Sequence, residues 1–406
     1  MRKSEDFKRV SDVIVLGGGV AGLAVARALA RRGLSVTLVE RGAHGAEASG
    51  AAAGMLAPQA EAERADDFFD LLCESREMYP AFAASLLEET GLDIELDQKG
   101  TLYLAFNDED VEDVERRYAW QSRVGLAVER LTAEEARADE PAVSPAVRLA
   151  LRFPRDWQVE NRLLVGALAA AAERLGVRVL DGTEALGVRV ESGRAVGVET
   201  SRGTLSADAV VLAAGAWSSR VPLLPSTDAR GEKEWSADAA EHPSVEPVRG
   251  QMLCFKREAQ GGPPLVRHVV YSPRGYLVPR RDGRLLAGST TEHAGFDASV
   301  TPAGVRAVRE HALEISPEVG GLKLTDSWAG LRPCAADERP VLGESDEVRG
   351  LFYATGHYRN GILLAPLTGE IVAGLVADGA TRISPHTLEA FSPTRFRRAL
   401  AASYEG

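Results

Sequence analysis

The stretch SDVIVLGGGVAGLAVARALARRGLSVTLVERG, residues 11–42, decides the fold of this chain. Residues 13–16 are a short apolar run that predicts a buried strand, and residues 35–39 predict a second strand. The alanine-rich segment between them predicts a closely packed helix, for which Gly33 is a natural end. The stretch therefore predicts a strand–helix–strand unit at the start of an α/β domain.

Three glycines, Gly17, Gly19 and Gly22, follow the first strand with the spacing G-x-G-x-x-G. In a dinucleotide-binding turn the first permits the tight turn, the second admits a pyrophosphate, and the third lets the helix pack on the strand. The second strand ends at Glu40, where a carboxylate can accept hydrogen bonds from an unphosphorylated ribose. A glycine trio alone is often an ordinary turn, but the flanking strands, helix and acid favour a dinucleotide site. FAD and NAD both remain candidates at this point.

The composition limits the classes of protein to which the chain can belong. Its 406 residues suggest two or three domains or one interleaved pair, and 45% hydrophobic with 26% charged residues is enough for a full core. The formal net charge of −12 argues against nucleic acid or an anionic membrane as the main partner. Apolar runs such as residues 163–172 are too short for a membrane span. The run 13–26 resembles part of a signal peptide, but its four glycines make that the weaker interpretation.

The three cysteines, Cys73, Cys254 and Cys334, lie far apart and form no C-x-x-C pair. This usage is typical of a reducing compartment and does not fit a cysteine-rich metal site. We therefore predict a cytoplasmic protein with no metal site.

The rest of the chain alternates between helical and strand patterns. Residues 68–90 and 108–124 predict helices, residues 156–180 predict a turn, a long helix and a strand, and residues 207–218 predict a buried strand that ends at a turn around Gly215. Residues 223–244 are polar, acidic and rich in turn formers, which predicts a surface excursion. A second, mostly antiparallel sheet is predicted from β-rich runs at residues 100–107, 248–254, 269–271, 275–279 and 284–288.

Three short motifs carry charged or phenolic groups beside apolar stretches: RGYLVPR with Tyr276, WAGLRP with Arg332, and HYRNG with Arg359. We place the first on a strand, the second at a strand end stopped by proline, and the third at a helix start. Arginine offers a planar fork that fits a carboxylate, and tyrosine adds a neutral donor, so together they suit a carboxylate clamp. For each residue alone a structural role is as good an explanation: a salt bridge from Arg332 to Asp337 or Glu338, or core packing of Tyr276 with a satisfied hydroxyl.

At these motifs the chain resembles a known family. The small-residue loop EASGAAAGMLAP, residues 47–58, resembles the loop that lies along the flavin in FAD-dependent amine oxidases of the D-amino-acid oxidase class. The segments GLRP, Y-x-VPR and H-x-RNGILLAP are similar to those of glycine oxidases of the thiamine-biosynthesis type, over residues 12–378 or so. The resemblance implies that Arg332 and Tyr276 bind the substrate carboxylate, that Arg359 lies by both flavin and substrate, and that Met55 lines the substrate pocket.

The resemblance also implies the fold and the cofactor. We expect a discontinuous Rossmann-like FAD-binding domain, residues 1–90, 150–221 and 327–406, and a mainly antiparallel (α+β) substrate domain, residues 91–149 and 222–326. The helix that starts near Asn360 would point its free amides at the negative charge of a reduced flavin. The residues implied to bind FAD are Gly17, Gly19, Val20, Ala21, Gly22, Glu40, Arg41, Ala48, Ser49, Ala53, Gly54, Met55, Ala185, Gly215, His357, Tyr358, Arg359, Asn360, Gly361, Ile362 and Leu363.

The activity implied is oxidative deamination of glycine and other small amino acids. Hydride would pass from the substrate Cα to flavin N5, the imine would hydrolyse to a 2-oxo acid and ammonia or enter thiazole synthesis, and dioxygen would reoxidise the flavin to give peroxide. No catalytic side chain is required if the amine reacts in its neutral form. We expect a homo-oligomer that binds a small amino acid and dioxygen.

Two positions depart from the family pattern. Cys334 stands where glycine is frequent, and related sarcosine oxidases attach flavin through a cysteine in a comparable segment; we expect non-covalent FAD, because a buried free cysteine is common. Thr291 stands where an apolar residue can line the pocket. The nearest alternatives are a sarcosine oxidase or a D-amino-acid dehydrogenase on the same scaffold. An alternative of another class is a flavin-binding subunit or tRNA-modification module without oxidase activity.

Overall fold

The computed structural model describes residues 11–225, 242–257 and 264–396. These residues form two large sheets, a pair of two-residue strands and a set of helices. The strands are β1 Ser11–Leu16, β2 Val36–Val39, β3 Met55–Leu56, β4 Thr101–Ala105, β5 Glu129–Thr132, β6 Leu149–Phe153, β7 Trp157–Gln158, β8 Arg178–Leu180, β9 Ala185–Glu191, β10 Arg194–Thr200, β11 Gly203–Leu212, β12 Leu223–Pro225, β13 Val245–Lys256, β14 Val269–Ser272, β15 Gly275–Pro279, β16 Leu285–Gly288, β17 Lys323–Ala335, β18 Val341–Glu344 and β19 Leu351–Thr355. The helices are α1 Val20–Arg31, α2 Ala48–Ala51, α3 Pro58–Glu61, α4 Asp67–Thr90, α5 Asp108–Arg123, α6 Ala133–Asp139, α7 Asn161–Arg174, α8 Pro302–Ile315, α9 Gly361–Asp378 and α10 Pro385–Glu389, with short 3-10 helices at Gly215–Arg220 and Pro317–Gly321.

The first sheet is built on parallel strands. Its order is β12-β9-β10-β11-β1-β2-β8, and β19 pairs with β11 while β18 pairs with β19. Strand β1 pairs in parallel with β2 and with β11. Successive residues of β1 point to opposite faces: Val13 and Val15 join the helical core, whereas Ile14 and Leu16 join the core formed with the β9–β10 hairpin. Burial on both faces explains why these strands are almost wholly apolar.

Helices α1, α4, α7 and α9 form a layer on one face of this sheet. Helix α9 packs between α1 and α4 and has no polar face, since its sequence GILLAPLTGEIVAGLVAD is buried over most of its length. By length and composition α9, at 18 residues, could cross a membrane; within the fold 67% of those residues are buried. It is longer than the run at residues 163–172 that we considered from the sequence, and its apolar character is explained by its central place in the core.

The second sheet has the order β17-β13-β16-β15-β14-β4-β6-β5. All its neighbours are antiparallel except β14 and β4, which confirms the predicted, mainly antiparallel sheet. Helix α8 covers one face, where Val308, Ala312 and Ile315 join the buried residues of the sheet. The other face carries Met252 and Tyr276.

The elements predicted from the N-terminal stretch are present. Strands β1 and β2 flank α1, and Gly17 has the positive φ of +112° that the tight turn needs. The helix predicted at residues 68–90 is α4, and it ends at Gly91 in a left-handed conformation. The α/β fold class is therefore confirmed.

Some details differ from prediction. Pro333 does not stop the strand that contains WAGLRP: β17 continues to Ala335, because Pro333 lies opposite Pro247 of β13 and both missing amides fall at one position of the ladder. The turn predicted after residue 155 contains the short strand β7, which pairs with β3. Residues 223–225 of the predicted excursion form β12 beside β9, residues 242–244 are also described, and residues 226–241 lie outside the described part of the chain.

Sheet membership also crosses the predicted domain boundaries at residues 150 and 327. Strands β6 and β17 belong to the second sheet, although much of both falls in segments that we assigned to the FAD-binding domain. The reason is that the hydrogen-bonding partner of a strand depends on distant residues: β6 pairs with β4 and β5, and β17 pairs with β13. The division into two domains remains a prediction.

The contact between α1 and α9 gives a first testable prediction. A Cβ atom added at Gly369 would lie 2.9 Å from the carbonyl oxygen of Ala24, whereas one added at Gly166 of α7 would meet nothing within 4 Å. Gly369→Ala is expected to lower the free energy of unfolding by about 1–3 kcal/mol, because α9 must move away from α1. Gly166→Ala is expected to raise it by up to about 1 kcal/mol, because alanine is the better helix former.

Urea unfolding of the two variants and the parent chain, followed by circular dichroism, measures both effects. Equal shifts of the same sign for both variants would show that the spacing between α1 and α9 does not limit stability.

Candidate functional site

A cavity of about 460 Å³ lies between the two sheets. Its walls come from the β1–α1 turn, the end of β2, the segment 47–61 and the end of β11 on one side. On the other side they come from β13, β15, β17 and the segment 354–362 that leads into α9. Residues of the glycine turn, of the loop 47–58 and of the three motifs with Tyr276, Arg332 and Arg359 therefore all line one cavity.

One end of the cavity has the groups of a nucleotide site. Glu40, at the end of β2, accepts a hydrogen bond from the amide of Gly18 at 2.7 Å and another from Gly42 at 2.8 Å. Each carboxylate oxygen has two lone pairs, so both oxygens can accept a further hydroxyl donor. The amide of Val20, at the start of α1, donates to Ser49 Oγ at 2.9 Å, which fixes the loop after β2 against this helix.

Two helix N-termini face the same cavity. Val20 and Ala21 of α1 line it, and so do Gly361 and Ile362 of α9. The first turn of a helix has amides without intrahelical partners, and its dipole favours negative charge. A glycine turn, a ribose acceptor and two such termini suit a dinucleotide with a pyrophosphate and a second electron-rich group. The residues present therefore fit FAD.

Arg332 lies at the other end and has no carboxylate partner among the described residues. Its guanidinium donates to Thr290 O at 3.1 Å and to Ser289 Oγ at 2.8 Å. The salt bridge with Asp337 that we considered is absent, because Asp337 pairs with Arg395 at 2.8 Å. A Cβ on Gly250 would lie 2.2 Å from Nη2 of Arg332, so glycine at this position of β13 leaves room for the guanidinium. The site thus holds a cation in need of an anion.

Tyr276 also lines the cavity, and its side chain is 6% exposed. Its hydroxyl donates to Met252 Sδ at 3.3 Å, which is a weak acceptor. The ring packs against Tyr271, with 5.3 Å between the ring centroids. The ring of Tyr276 therefore packs in the core, while its hydroxyl can exchange the sulfur for a stronger hydrogen-bond acceptor.

Arg359 has a partner that the sequence did not reveal. Its Nε lies 3.7 Å from Oε2 of Glu61, and the other oxygen of Glu61 accepts a hydrogen bond from Tyr271 at 2.6 Å. The negative charge of Glu61 raises the pKa of Arg359 above its usual value, against the opposing effect of burial. Glu61 itself lines the cavity. The two charges compensate each other, whereas Arg332 at this end has no acidic partner in the part of the chain that the structure describes.

A buried polar cluster places Glu61. It sits on the four-residue helix α3, whose amides at Gln59 and Ala60 donate to the carboxylate of Asp156 at 3.3 and 2.8 Å. Arg76 of α4 donates to the same carboxylate at 3.2 Å. Full burial raises the pKa of Asp156 to about 7, although Arg76 acts in the opposite direction. Nothing in the sequence distinguishes Glu61 from Glu63, because the distinction depends on this long-range anchor.

His357 is a buried residue of the cavity wall, and its imidazole is neutral. Its Nε2 lies 3.0 Å from Thr368 Oγ1 of α9, so it joins the segment before α9 to the helix itself. Burial lowers the pKa of His357 to about 4. The next residue, Tyr358, has a positive φ of 46°, which turns the chain towards Arg359. The imidazole therefore adds no charge to the site near neutral pH.

Almost all the predicted site residues lie in the cavity wall. Gly22 and Leu363 do not: Gly22 packs against the carbonyl of Gly17, and Leu363 of α9 is buried in the helical core. Thr291 is exposed and is not part of the wall. The predicted residues that line the cavity are Gly17, Gly19, Val20, Ala21, Glu40, Arg41, Ala48, Ser49, Ala53, Gly54, Met55, Ala185, Gly215, Tyr276, Arg332, His357, Tyr358, Arg359, Asn360, Gly361 and Ile362.

Several wall residues had no signal in the sequence. Besides Glu61, these include Met252 and Gly250 on β13, and Trp217, whose ring lies 3.8 Å below the guanidinium of Arg41. The sequence of a strand such as β13 does not predict which of its two faces lines a cavity. Cys334 is not in the wall, and burial raises the pKa of its thiol to about 11.

Comparison with known proteins shows wide similarity. The family model described as FAD dependent oxidoreductase matches residues 12–375. The glycine oxidase of Geobacillus kaustophilus (strain HTA426) is 38% identical over 95% of this chain and 97% of its own length. A crystal structure of glycine oxidase from the same species has a TM-score of 0.86, with 37% identity over 96% of this chain and 99% of that one.

Two further relatives differ in organisation or name. The bifunctional protein ThiO/ThiG of Synechocystis sp. is 36% identical over 96% of this chain, which spans 55% of that longer protein. The crystal structure of L-proline dehydrogenase from P. horikoshii has a TM-score of 0.82, with 26% identity over 97% of this chain and 99% of that one.

The burial of His357 gives a prediction for stability against pH. The unfolded chain binds a proton at the ordinary histidine pKa of 6.5, whereas the folded chain binds it only near pH 4. The unfolded state therefore takes up more protons in this window, and stability falls as the pH drops from 6.5 to 4. The loss from this one group is about 3 kcal/mol. His357→Gln is expected to show a flatter curve by about that amount.

Urea unfolding at several pH values between 7 and 4 measures the difference in slope. The matched control is His386→Gln, since the side chain of His386 is 86% exposed. Parallel curves for the parent chain and His357→Gln would contradict the prediction.

Proposed function

Because the chain belongs to the FAD dependent oxidoreductase family, we propose that it is an amino-acid oxidase that acts on glycine and other small amino acids. The overall reaction converts glycine, dioxygen and water into glyoxylate, ammonium and hydrogen peroxide. The similarity to glycine oxidases over nearly the whole length of both chains supports this assignment. Atoms and electrons balance, because the two electrons that the Cα of glycine loses reduce dioxygen to hydrogen peroxide.

The observation that carries the proposal is the guanidinium of Arg332, in the cavity wall without an acidic partner among residues 11–225, 242–257 and 264–396. A cation in this position is costly unless an anion meets it. The substrate carboxylate is that anion, and the guanidinium fork can bind it through two hydrogen bonds. Tyr276 exchanges its weak bond to the Met252 sulfur for a stronger one to the same carboxylate.

FAD is held by the glycine turn, by Glu40 and by the segment 357–362. Glu40 accepts from the ribose hydroxyls, while the first turn of α1 meets the pyrophosphate. This cofactor would supply the redox chemistry, namely acceptance of a hydride from the substrate Cα and reduction of dioxygen by two electrons. We propose that it is bound without a covalent link, because Cys334 lies outside the cavity wall and burial keeps its thiol protonated.

The chain's own groups bind and orient the substrate. Arg332 and Tyr276 hold the carboxylate at one end of the substrate. Because the carboxylate is fixed, its position determines the direction in which the Cα hydrogen points. Met55 and Met252 supply apolar wall around a small substrate and exclude water. Arg359, at the entry to α9, adds positive charge where negative charge develops, and Glu61 balances that charge before the substrate arrives. Among the described residues His357 is the one histidine that lines the cavity, and its Nε2 is hydrogen-bonded to Thr368 Oγ1, so we assign it no role as a base.

We also propose a role in thiazole synthesis for thiamine, because the imine of glyoxylate is a reactive precursor for ring formation. The bifunctional protein ThiO/ThiG supports this role, since a segment similar to this chain makes up about half of that protein. We propose a cytoplasmic location, which the three free cysteines support. Assembly into a homo-oligomer remains a prediction. A sarcosine oxidase or D-amino-acid dehydrogenase is the alternative, and the similarity to an L-proline dehydrogenase favours testing it.

Replacement of Arg332 tests the carboxylate anchor. Arg332→Met is expected to raise the KM for glycine about 100-fold, which corresponds to about 3 kcal/mol for the loss of a charge-assisted pair between a half-buried guanidinium and the substrate carboxylate. Peroxide release from the purified holoenzyme with glycine, sarcosine, D-alanine and D-proline under air measures the activity. Arg309→Ala, an exposed arginine on α8, is the matched control.

The outcomes separate the candidate functions. Peroxide with glycine that is lost in Arg332→Met supports the oxidase and its anchor. Flavin reduction without peroxide would identify a dehydrogenase instead, and a purified protein that binds no flavin would refute the proposal.

Replacement of Glu61 tests the charge balance. Glu61→Gln leaves Arg359 without its acidic partner, so an anion that lacks an amine should bind more tightly. Glycolate is expected to inhibit the variant about fivefold more strongly, a gain of about 1 kcal/mol that falls with added salt. Inhibition constants at low and high salt measure this effect, with Glu63→Gln as the neighbouring control. Unchanged or weaker glycolate binding would show that Glu61 does not offset the charge of Arg359.

A further inference from the structure

A proline lies inside the helix that borders the cavity. Pro366 is the sixth residue of α9, and a residue at this position would normally donate its amide to the carbonyl of Ile362, four residues earlier. Proline has no amide hydrogen, and its ring also crowds that carbonyl. The carbonyl of Ile362 therefore lacks its helical partner in the dry core, where an unpaired acceptor is costly.

Helix α4 supplies the missing donor and one further hydrogen bond to the same turn. The hydroxyl of Tyr79 donates a hydrogen bond to the carbonyl oxygen of Ile362. One turn earlier, Ser75 Oγ donates to the carbonyl of Leu363 at 2.7 Å. Both side chains are fully buried, and burial raises the pKa of Tyr79, so its hydroxyl stays a donor. A side chain 283 residues away along the chain thus takes the place of a backbone amide.

The carbonyl that Tyr79 holds belongs to the turn that meets the cavity. Asn360, Gly361 and Ile362 all line the cavity, and the helix begins at Gly361. The amide of Leu364 donates to the carbonyl of Asn360 at 2.8 Å and closes the first turn of the helix. The carbonyl of Ile362 in the same turn has no helical donor, because residue 366 is proline. The direction of the first amides of α9 therefore depends in part on a donor from outside the helix.

We infer that Tyr79 is a positioning residue for the cofactor: its hydroxyl replaces the amide that Pro366 lacks and so fixes the first turn of α9 against the cavity. The inference rests on the proposed function, because it assigns that turn to the flavin. Ser75 supports the same turn through the next carbonyl. Neither side chain touches the cavity.

The experiment removes only the hydroxyl. Tyr79→Phe keeps the ring, which packs edge-on against Phe82 with centroids 5.9 Å apart. Thr90→Val is the matched control, because Thr90 lies on the same helix and its buried hydroxyl also donates to a backbone carbonyl, that of Leu86 at 2.6 Å. Pro366→Ala restores the backbone amide and provides the rescue background.

The first readout needs no flavin. Amide hydrogen exchange of the cofactor-free protein, read on peptides that cover residues 359–366, is expected to be about tenfold faster in Tyr79→Phe and unchanged in Thr90→Val. In the Pro366→Ala background the same Tyr79→Phe change is expected to have little effect, since the amide at residue 366 then satisfies the carbonyl.

The second readout is the bound cofactor. The dissociation constant of FAD is expected to rise about tenfold in Tyr79→Phe. The midpoint potential of the flavin should fall, because the displaced amides stabilise its reduced, anionic state less. A tenfold decrease in the affinity for reduced relative to oxidised flavin corresponds to about 30 mV. Thr90→Val should change neither quantity.

The results distinguish three conclusions. Faster exchange with weaker FAD binding and a lower potential, all reversed by Pro366→Ala, supports the inference. Lower stability alone, with exchange at residues 359–366, FAD affinity and potential unchanged, overturns it and leaves Tyr79 a purely structural residue. A parent chain that binds no FAD refutes the proposed function, while the exchange data still decide whether Tyr79 holds this turn.

Discussion

The close contact between α1 and α9 is the constraint on which the site depends. Both helices lie on the same face of the first sheet, and the backbone of α1 at Ala24 meets α9 at Gly369. This contact brings two helix N-termini, one from each end of the chain, to a single cavity. The parallel strands determine where the N-terminus of α1 lies, because only three residues separate the end of β1 from the start of α1. The second terminus is set by side chains of α4 and by His357, since a proline interrupts the hydrogen bonds of α9 itself.

Charge at the opposite end of the cavity is arranged by pairing. Arg359 and Glu61 compensate each other, and Tyr271 holds Glu61 in place, so the guanidinium of Arg332 dominates the attraction for an anion. Its own hydrogen bonds go to a backbone carbonyl and a serine hydroxyl, which orient the fork without neutralising it. We propose that a site built in this way selects for a carboxylate by charge and for a small side chain by Met55 and Met252.

Local sequence patterns predicted the parts of the fold that depend on local chemistry. The β1–α1–β2 unit, the helix α4 with its terminal Gly91 and the hairpin strands follow from periodicity and turn residues. The clamp residues Tyr276 and Arg332 could be selected because their motifs combine a polar group with apolar neighbours. Glu61 and Met252 could not, since the features that bring them to the cavity are tertiary: Asp156 anchors α3, and the register of β13 decides which of its residues face inward. The same holds for Pro333, which looks like a strand end until the opposite Pro247 is known.

The interleaving of the first sheet has a consequence for how the chain is made. Strands from residues 11–39, 178–225 and 341–355 meet in it, and α9 completes the core only after residue 361. At roughly 5–20 residues per second, a ribosome needs about 20–70 s to deliver that helix after α1 has emerged. Throughout this interval the apolar side of α1 lacks its main packing partner, α9. The strand–helix–strand unit at the start of the first sheet therefore reaches its final packing only after α9 has been made, and until then a molecular chaperone can shield the exposed side of α1.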